Sequence, residues 1–359
     1  NIATMEFTCN SCQSSFKLPD AQLPKGKIVA FPCPDCGKKI ELDLREKKAA
    51  VRQSAAETDA AAQAAAGNAK DLKAKVVGNL AELPPMPQIV FKAIEIMDDP
   101  NSSTKQVADL IESDPAIATK VLRMANSAYY GLSGKVSSIQ HASVVLGFKA
   151  LGELITMAGT SSLLGAKLFG YDMDSGVLWE HSMTVALCSK ILAQRCKPEL
   201  ENDAFSAGLI HDVGKLILDR FVLNRKPLFE EYLQSGDRSF LSAENKILGF
   251  DHAEIGYEVC RHWKIPESLA NTIRFHHSAA DVCSDGLSAI VFMANTIANM
   301  AEAMEMVGAI EQNSLEAVLY LVDDDVMQHL DLDQTAIGEI MKTALNGVKQ
   351  ISAGLAPGT

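Results

Sequence analysis

Residues 111–131 read IESDPAIATKVLRMANSAYYG, and this run decides the fold. Asp114 followed by Pro115 pairs an N-cap acceptor with a proline at the first helical position, where its missing N–H costs nothing. The pair predicts a helix through Ala125. Just upstream, Ser103 and Gln106 form a capping-box pattern ahead of Val107–Glu112. Further back, Pro84, Pro85 and Pro87 stop one element, and Gln88 to Met97 places Ile89, Val90, Ala93, Ile94 and Met97 on a helical stripe. Downstream, a helix over Leu178–Ala193 carries His181, and Pro266 opens another that runs to His277. From Leu80 onward no alternating segment of strand length interrupts this pattern. The large part of the chain is therefore expected to be all-α.

The 359 residues suffice for one large domain and a small one. No uninterrupted apolar run reaches the roughly 18 residues of a membrane span, so no span is expected. Nor does a basic-then-apolar leader open the chain. Met5 reads as the natural start, and Asn1–Thr4 are set aside. The net charge of −12 repels nucleic acid from the chain as a whole. The first segment offers no local exception, because Met5–Leu44 holds five lysines against five acidic residues. Nucleic-acid binding is therefore ranked last among the functions considered.

That first segment alternates short strand-like stretches, Glu6–Cys9, Ser15–Leu18, Lys27–Phe31 and Lys39–Leu44, with turns. It is too small to stabilise itself by apolar burial alone. Its cysteines supply the missing constraint. Cys9 and Cys12, then twenty residues, then Cys33 and Cys36 give the spacing of a four-thiolate structural zinc site. Asn10, Ser11, Pro34, Asp35 and Gly37 are the turn residues such knuckles need. The competing reading is four free or redox-active thiols. Cys188, Cys196, Cys260 and Cys283 are scattered through helical sequence and read as small buried hydrophobes, a usage that favours a reducing cytoplasm. From Arg45 to Lys70 the chain carries 11 alanines and little to bury, and reads as a linker, with a helical spacer as the alternative. The expected organisation is a small β-rich zinc ribbon over 5–44, an alanine-rich linker over 45–75, a helical domain over 80–303, and a C-terminal helical extension over 304–355. In that extension Ser314–Leu321 and Gln334–Ile351 carry apolar stripes that pack on the main domain, with a dimer face as the alternative.

The helical domain contains His211-Asp212-Val213-Gly214-Lys215, with His181 about thirty residues earlier, His252 in FDHAEIG, and the pair His276-His277. A histidine and a carboxylate side by side, expected on one helix, bind one ion or bridge two, and such centres suit phosphate chemistry. Lys215 has two readings: it neutralises a phosphate oxygen, or it caps the end of its helix against the carbonyl dipole. His141 is read as a structural contact, His262 and His329 as surface residues, and Met124, Tyr129 and Tyr130 as core packing.

The order H…HD-x-G-K…H…HH resembles the HD superfamily of metal-dependent phosphohydrolases, closest to the branch that hydrolyses cyclic dinucleotides. That branch's Gly-Tyr-Pro segment is absent, since Ser278-Ala279-Ala280 follows His277. Asn295 stands in VFMANTIA where that branch has an aspartate ligand. LPPMPQ at 83–88, IESDPA at 111–116, VLRMANSAYYG at 121–131 and SIQHASVVLG at 138–147 are similar to the HDOD family, helical signalling modules that often replace catalytic residues. The N-terminal segment resembles the short zinc ribbons of bacterial regulatory proteins. The resemblance implies an HD-type metal site of His181, His211, Asp212, His252, His276 and His277, with Asn295 at its edge. It implies zinc in the ribbon and one or two divalent transition ions (iron, zinc, nickel or manganese) in the helical domain. The function it implies is regulatory, through a signalling protein partner or a nucleotide second messenger, with a metal-dependent phosphodiesterase as the alternative.

Overall fold

The structure is a computed structural model that describes residues 70–82, 88–99, 101–235, 239–278, 285–306 and 322–355, with four strands nearer the N-terminus. Those strands are β1 (Thr4–Thr8), β2 (Ser15–Pro19), β3 (Ile28–Pro32) and β4 (Lys39–Asp43), which pair antiparallel as β1–β2 and β3–β4. The register runs from Met5 opposite Leu18 in the first pair and from Val29 opposite Leu42 in the second. Thr4, set aside in the sequence reading, belongs to β1, opposite Pro19. All four knuckle cysteines, Cys9, Cys12, Cys33 and Cys36, lie outside the described residues, as do Cys283 and Ser314–Leu321.

Two compact units divide the chain, one of Asn1–Lys75 with Val222–Asp251 and the other of Val76–Phe221 with His252–Thr359. Helix α1 covers residues 70–78, so the stretch expected to be linker is already helical in its last residues. In the larger unit follow α2 (Gln88–Asp98), α3 (Thr104–Glu112), α4 (Pro115–Ala125), α5 (Ile139–Leu164), α6 (Val177–Cys196) and α7 (Glu201–Ile210). Helix α8 (Gly214–Leu223) leads into the smaller unit. There α9 (Lys226–Gln234) and α10 (Phe240–Ile247) stack Phe229 on Phe240 with centroids 6.0 Å apart. The larger unit resumes with α11 (His252–His262), α12 (Glu267–Phe275), α13 (Gly286–Met306), α14 (Asp324–His329) and α15 (Gln334–Leu355). No strand occurs among the described residues beyond β4, and this part is helical throughout.

Local signals start these helices where the chain needs them. The Ser103 hydroxyl takes the Gln106 amide at 3.3 Å while the Gln106 side chain takes the Ser103 amide at 2.7 Å, closing the capping box. Asp114 accepts from the amides of Ala116 and Ile117 at 3.0 and 3.1 Å. At the far end of α4, Asn126 brackets Val136, donating to its carbonyl and accepting from its amide at 2.8 Å each, and so fixes the return of the loop. Helix α5 breaks at Gly147, whose φ of 80° and ψ of 167° suit glycine alone.

Helix α6 is buried over most of its circumference, from Leu178 to Ala193, which marks it as the central helix. Against it pack α7, α13 and α15, while α12 packs on α7 and α13, and α15 also reaches α4. Helix α15 comes close because Gly347 faces Leu187 and the Tyr129 ring, where a Cβ would stand 2.8 and 3.0 Å away. Two helices, Ile139–Leu164 and residues Gly286–Met304 of α13, are long and apolar enough to cross a membrane. Of their apolar windows 56% and 72% are buried in the protein, Val144 and Val145 of the first being exposed, and the first holds a buried glutamate, Glu153, bound to Lys190 at 2.7 Å.

Among the described glycines, the closest approach joins α8 to α11. A Cβ on Gly214 would stand 1.9 Å from the His252 carbonyl oxygen and 2.7 Å from the Gly256 amide nitrogen. No side chain can yield there, because both obstacles are backbone. Gly214→Ala should therefore cost 3 kcal/mol or more (about 1–3 being the usual overpacking range) and displace His252 from His211. Asp114→Ala, remote from that contact, should cost only about 1 kcal/mol. Chemical denaturation with parallel metal analysis separates them: metal retention should fall in the first variant and persist in the second.

Candidate metal centre

Four helices bring one cluster together. His181 stands in the second turn of α6, and His211 and Asp212 follow the end of α7. His252 begins α11, while His276 caps α12 with His277 beside it. The expectation that His211 and Asp212 share one helix is corrected. They form the turn between α7 and α8, with the Val213 amide bonded to the Ile210 carbonyl and the Lys215 amide to the Asp212 carbonyl, both at 3.0 Å. Breaking the helix there lets the two adjacent side chains converge, which consecutive residues on a continuous helix, 100° apart, do not do. Lys215 consequently lies in the first turn of α8, and capping a helix C-terminus is ruled out for it.

Asp212 is the hub. Its carboxylate is 1% exposed, with Oδ1 at 3.1 Å from His252 Nε2 and 3.7 Å from His276 Nε2. Oδ2 lies 2.6 Å from Lys215 Nζ, 3.4 Å from His211 Nε2 and 3.7 Å from His181 Nε2. His277 Nε2 is 2.8 Å from His252 Nε2. Ligand atoms of Asp212, His252, His276 and His277 fall within 4.8 Å of one another, and so do those of His181, His211 and Asp212. Asp212 thus belongs to two adjoining sets of donors, one on each oxygen.

The protonation states follow from the partners. His211 Nδ1 faces the Gly208 carbonyl at 2.8 Å and His276 Nδ1 the Ile273 carbonyl at 2.6 Å. A carbonyl only accepts, so each Nδ1 carries a proton and donates it. Burial pushes the His211 imidazole down to about 4 against the opposing pull of Asp212, and likewise lowers His276. Burial and the neighbouring imidazoles drive His277 well below its ordinary value. For Asp212 burial acts upward, but the Lys215 ammonium, with the imidazoles around it, overcomes this and holds the carboxyl well below the usual range. His211 and His276 therefore turn bare Nε2 lone pairs toward an ionised carboxylate. His211 Nε2, His276 Nε2 and Asp212 Oδ1 are all buried without a hydrogen-bond partner. Orphaned acceptors of this kind each cost about 1–3 kcal/mol unless something electrophilic sits among them. Imidazole and carboxylate donors at these separations fit a divalent transition metal.

Asn295 is buried on α13, its Oδ1 accepting from Asn299 Nδ2 at 3.4 Å. The sequence reading missed Glu302, seven residues on along the same face of α13, which receives the His181 Nδ1 proton at 2.7 Å. Burial acts upward on this carboxyl, but the His181 hydrogen bond, with Lys215, holds it below its ordinary value. His141, His262 and His329 are exposed, and His141 receives no part in the cluster. Met124 is buried, and Tyr130 Oη is buried with no hydrogen-bond partner.

Comparison with known proteins bears on the family and the fold. The HDOD domain family matches residues 83–279. A protein of Treponema pallidum (strain Nichols) with no characterised role is 24% identical over 208 residues, 58% of this chain and 40% of that protein. The match thus spans well under half of that relative. A structure from Shewanella amazonensis SB2B, provisionally described as a phosphohydrolase, superposes with a TM-score of 0.60 at 22% identity, covering 77% of this chain and 97% of its own. One from Marinobacter aquaeolei VT8, provisionally described as a signal-transduction protein, gives 0.57 at 21% identity over 80% of this chain and 65% of its own. At such identities the likeness is one of fold.

The neutral imidazoles make stability depend on pH in a defined direction. As pH falls below the ordinary histidine value of 6.5, the unfolded chain takes up protons that folded His211 refuses until about 4. Stability is complete above that window and is lost as pH falls through it, with His211 alone contributing on the order of 3 kcal/mol. Urea unfolding of chelator-treated protein at pH 7.5 and 4.5 should show the loss, and His211→Asn should flatten it. A pH-independent midpoint over this range would contradict the neutral, buried state of these rings.

Proposed function

The chain belongs to the HDOD family, and from that premise we propose that it is a regulatory protein whose helical domain is organised by a divalent-metal centre. His252, His276, His277 and Asp212 Oδ1 would hold one ion, and His181, His211 and Asp212 Oδ2 an adjoining one. The observation that carries this reading is the set of buried, partnerless ligand atoms, His211 Nε2, His276 Nε2 and Asp212 Oδ1. Iron, zinc, nickel and manganese all match an imidazole-rich shell with one carboxylate. The centre would bind a phosphate-bearing ligand, such as a nucleotide second messenger, or support a protein partner, with Lys215 at hand for a phosphate oxygen. Cys9, Cys12, Cys33 and Cys36 would hold a separate structural zinc, whose closed four-thiolate shell leaves no open position for chemistry.

Little turnover is expected, for a reason of charge. A second carboxylate in the shell would add negative charge and help activate bound water, whereas Asn295 offers only a neutral carbonyl oxygen. The runner-up is a metal-dependent phosphodiesterase, favoured by the two donor sets that share Asp212.

Elemental analysis of the purified chain should find zinc in the ribbon together with metal in the helical domain. His276→Ala should release the second and keep the first, and Cys33→Ser should do the reverse while leaving the helical domain folded. In a cyclic-dinucleotide assay the wild type should be near background. Asn295→Asp should strengthen metal retention and raise any trace hydrolysis, each tenfold gain amounting to about 1.4 kcal/mol of transition-state stabilisation. Rapid wild-type cleavage, indifferent to the Asn295 change, would promote the phosphodiesterase.

A further inference from the structure

We propose that Glu302 is a positioning residue that, through His181, decides whether the Oδ2 side of Asp212 takes a cation of its own. The inference rests on the metal reading above, and deepens it by separating the two donor sets. The Nδ1 anchors of His181, His211 and His276 are of two kinds. His211 and His276 are held by carbonyls three residues back in their own chain segments, Gly208 and Ile273, and both rings are fully buried. Those anchors are part of the backbone and come with the fold. His181 is held by a side chain 121 residues away in sequence, at 2.7 Å, and that side chain is 54% exposed. Its anchor can be lost without unfolding anything.

A carboxylate accepts and never donates, so Glu302 fixes a proton on His181 Nδ1, and Nε2 is the nitrogen that can serve a cation. That Nε2 faces Asp212 Oδ2 at 3.7 Å, with the His211 donor in the same set. Without Glu302 the ring is free to take the other tautomer, with Nε2 carrying the proton and donating to Oδ2, and the third donor of this set disappears. Competition sharpens the effect. Lys215 Nζ already sits 2.6 Å from Oδ2, so a divalent ion on this side must displace an ammonium, whereas Oδ1 has no hydrogen-bond partner. A negative charge behind His181 strengthens the imidazole as a donor and favours the incoming cation. The Oδ1 ion is thus expected to bind first, and the Oδ2 ion to be conditional on Glu302.

The test uses the full chain, treated with chelator, as wild type, Glu302→Ala and Glu302→Gln, with His181→Ala as reference. Nitrogen chemical shifts of the His181 ring read its tautomer in the metal-free protein. They should show Nδ1–H in the wild type, the same in the Gln variant if its carbonyl oxygen takes the proton, and a mixture in the Ala variant. Calorimetric titration with Mn²⁺, an ion that thiolates bind poorly, should give a tight and a weak step in the wild type. Glu302→Ala should weaken the second step about 10- to 100-fold, as His181→Ala does, and leave the first unchanged; Glu302→Gln should fall between. An Ala variant with wild-type tautomer and both steps intact overturns the proposal. A wild type that takes no Mn²⁺ overturns the metal reading and the cation half of the proposal, and the tautomer in the same sample then decides whether Glu302 positions His181.

Discussion

The structure depends on one unfavourable object, an ionised carboxylate buried to 1% exposure at a turn between two helices. Taking a charge that far from water costs several kcal/mol even after relaxation, and only opposite charge or hydrogen bonds offset it. Lys215 answers at one oxygen. At the other the neighbours are imidazole nitrogens, one of which, His276 Nε2, has its lone pair turned inward. The helices around it are disposed to keep those nitrogens there. Gly214 and Gly256 let α8 and α11 touch backbone to backbone, and Gly208 lets α7 lie against Ser189 and Ala186 of α6. Small residues at these crossings set the distance from Asp212 to His252 and to His181, so packing and electrostatics are one constraint.

A second buried charge group, also in the larger unit, shows the contrast. Lys190 binds Glu153 at 2.7 Å, Gln194 binds Glu201 at 2.8 Å, and Lys149 closes on Glu201 as well. Here each anion has a cation beside it, Lys190 for Glu153 and Lys149 for Glu201, although Glu153 Oε1, like Asp212 Oδ1, is buried without a hydrogen-bond partner. Burial acts upward on Glu153 and downward on Lys190, yet the Lys190 value ends raised because Glu153 is so near. Charge-neutralised in this way, the group ties α5 to α6 and to the start of α7. The Asp212 cluster differs, because the partnerless imidazole nitrogens of His211 and His276 stand beside an orphaned carboxylate oxygen. That difference, rather than the number of charged groups, separates a structural network from a site.

What could be read in the sequence was what is decided locally. Ser103 with Gln106 and Asp114 with Pro115 start helices through bonds no more than three residues long, so the chain itself states them. The histidines were legible as a set because their order carried a family resemblance, and they lie on separate helices that only the fold brings together. The break after Ile210 was not legible, because nothing in HDVGK forbids a continuing helix; it is imposed by the need of Gly214 to meet α11. Glu302 was invisible for a similar reason: its partner is 121 residues away, and one glutamate among many in helical sequence carries no mark. The bracket that Asn126 makes around Val136 was equally hidden, though the motif containing it was noticed.

The two sides of Asp212 therefore differ in what maintains them. On the Oδ1 side, His276 is held by the backbone and His252 by the start of α11, so this side persists whenever the domain is folded. On the Oδ2 side, a half-exposed glutamate and a lysine ammonium pull in opposite directions on the same cation position. Anything that approaches Glu302 or draws Lys215 away, a phosphate oxygen included, alters that balance without touching the core. An efficient hydrolase gains from a shell whose charge and geometry are fixed before substrate arrives. A shell whose second half responds to what lies at its rim would be better suited to sensing than to chemistry.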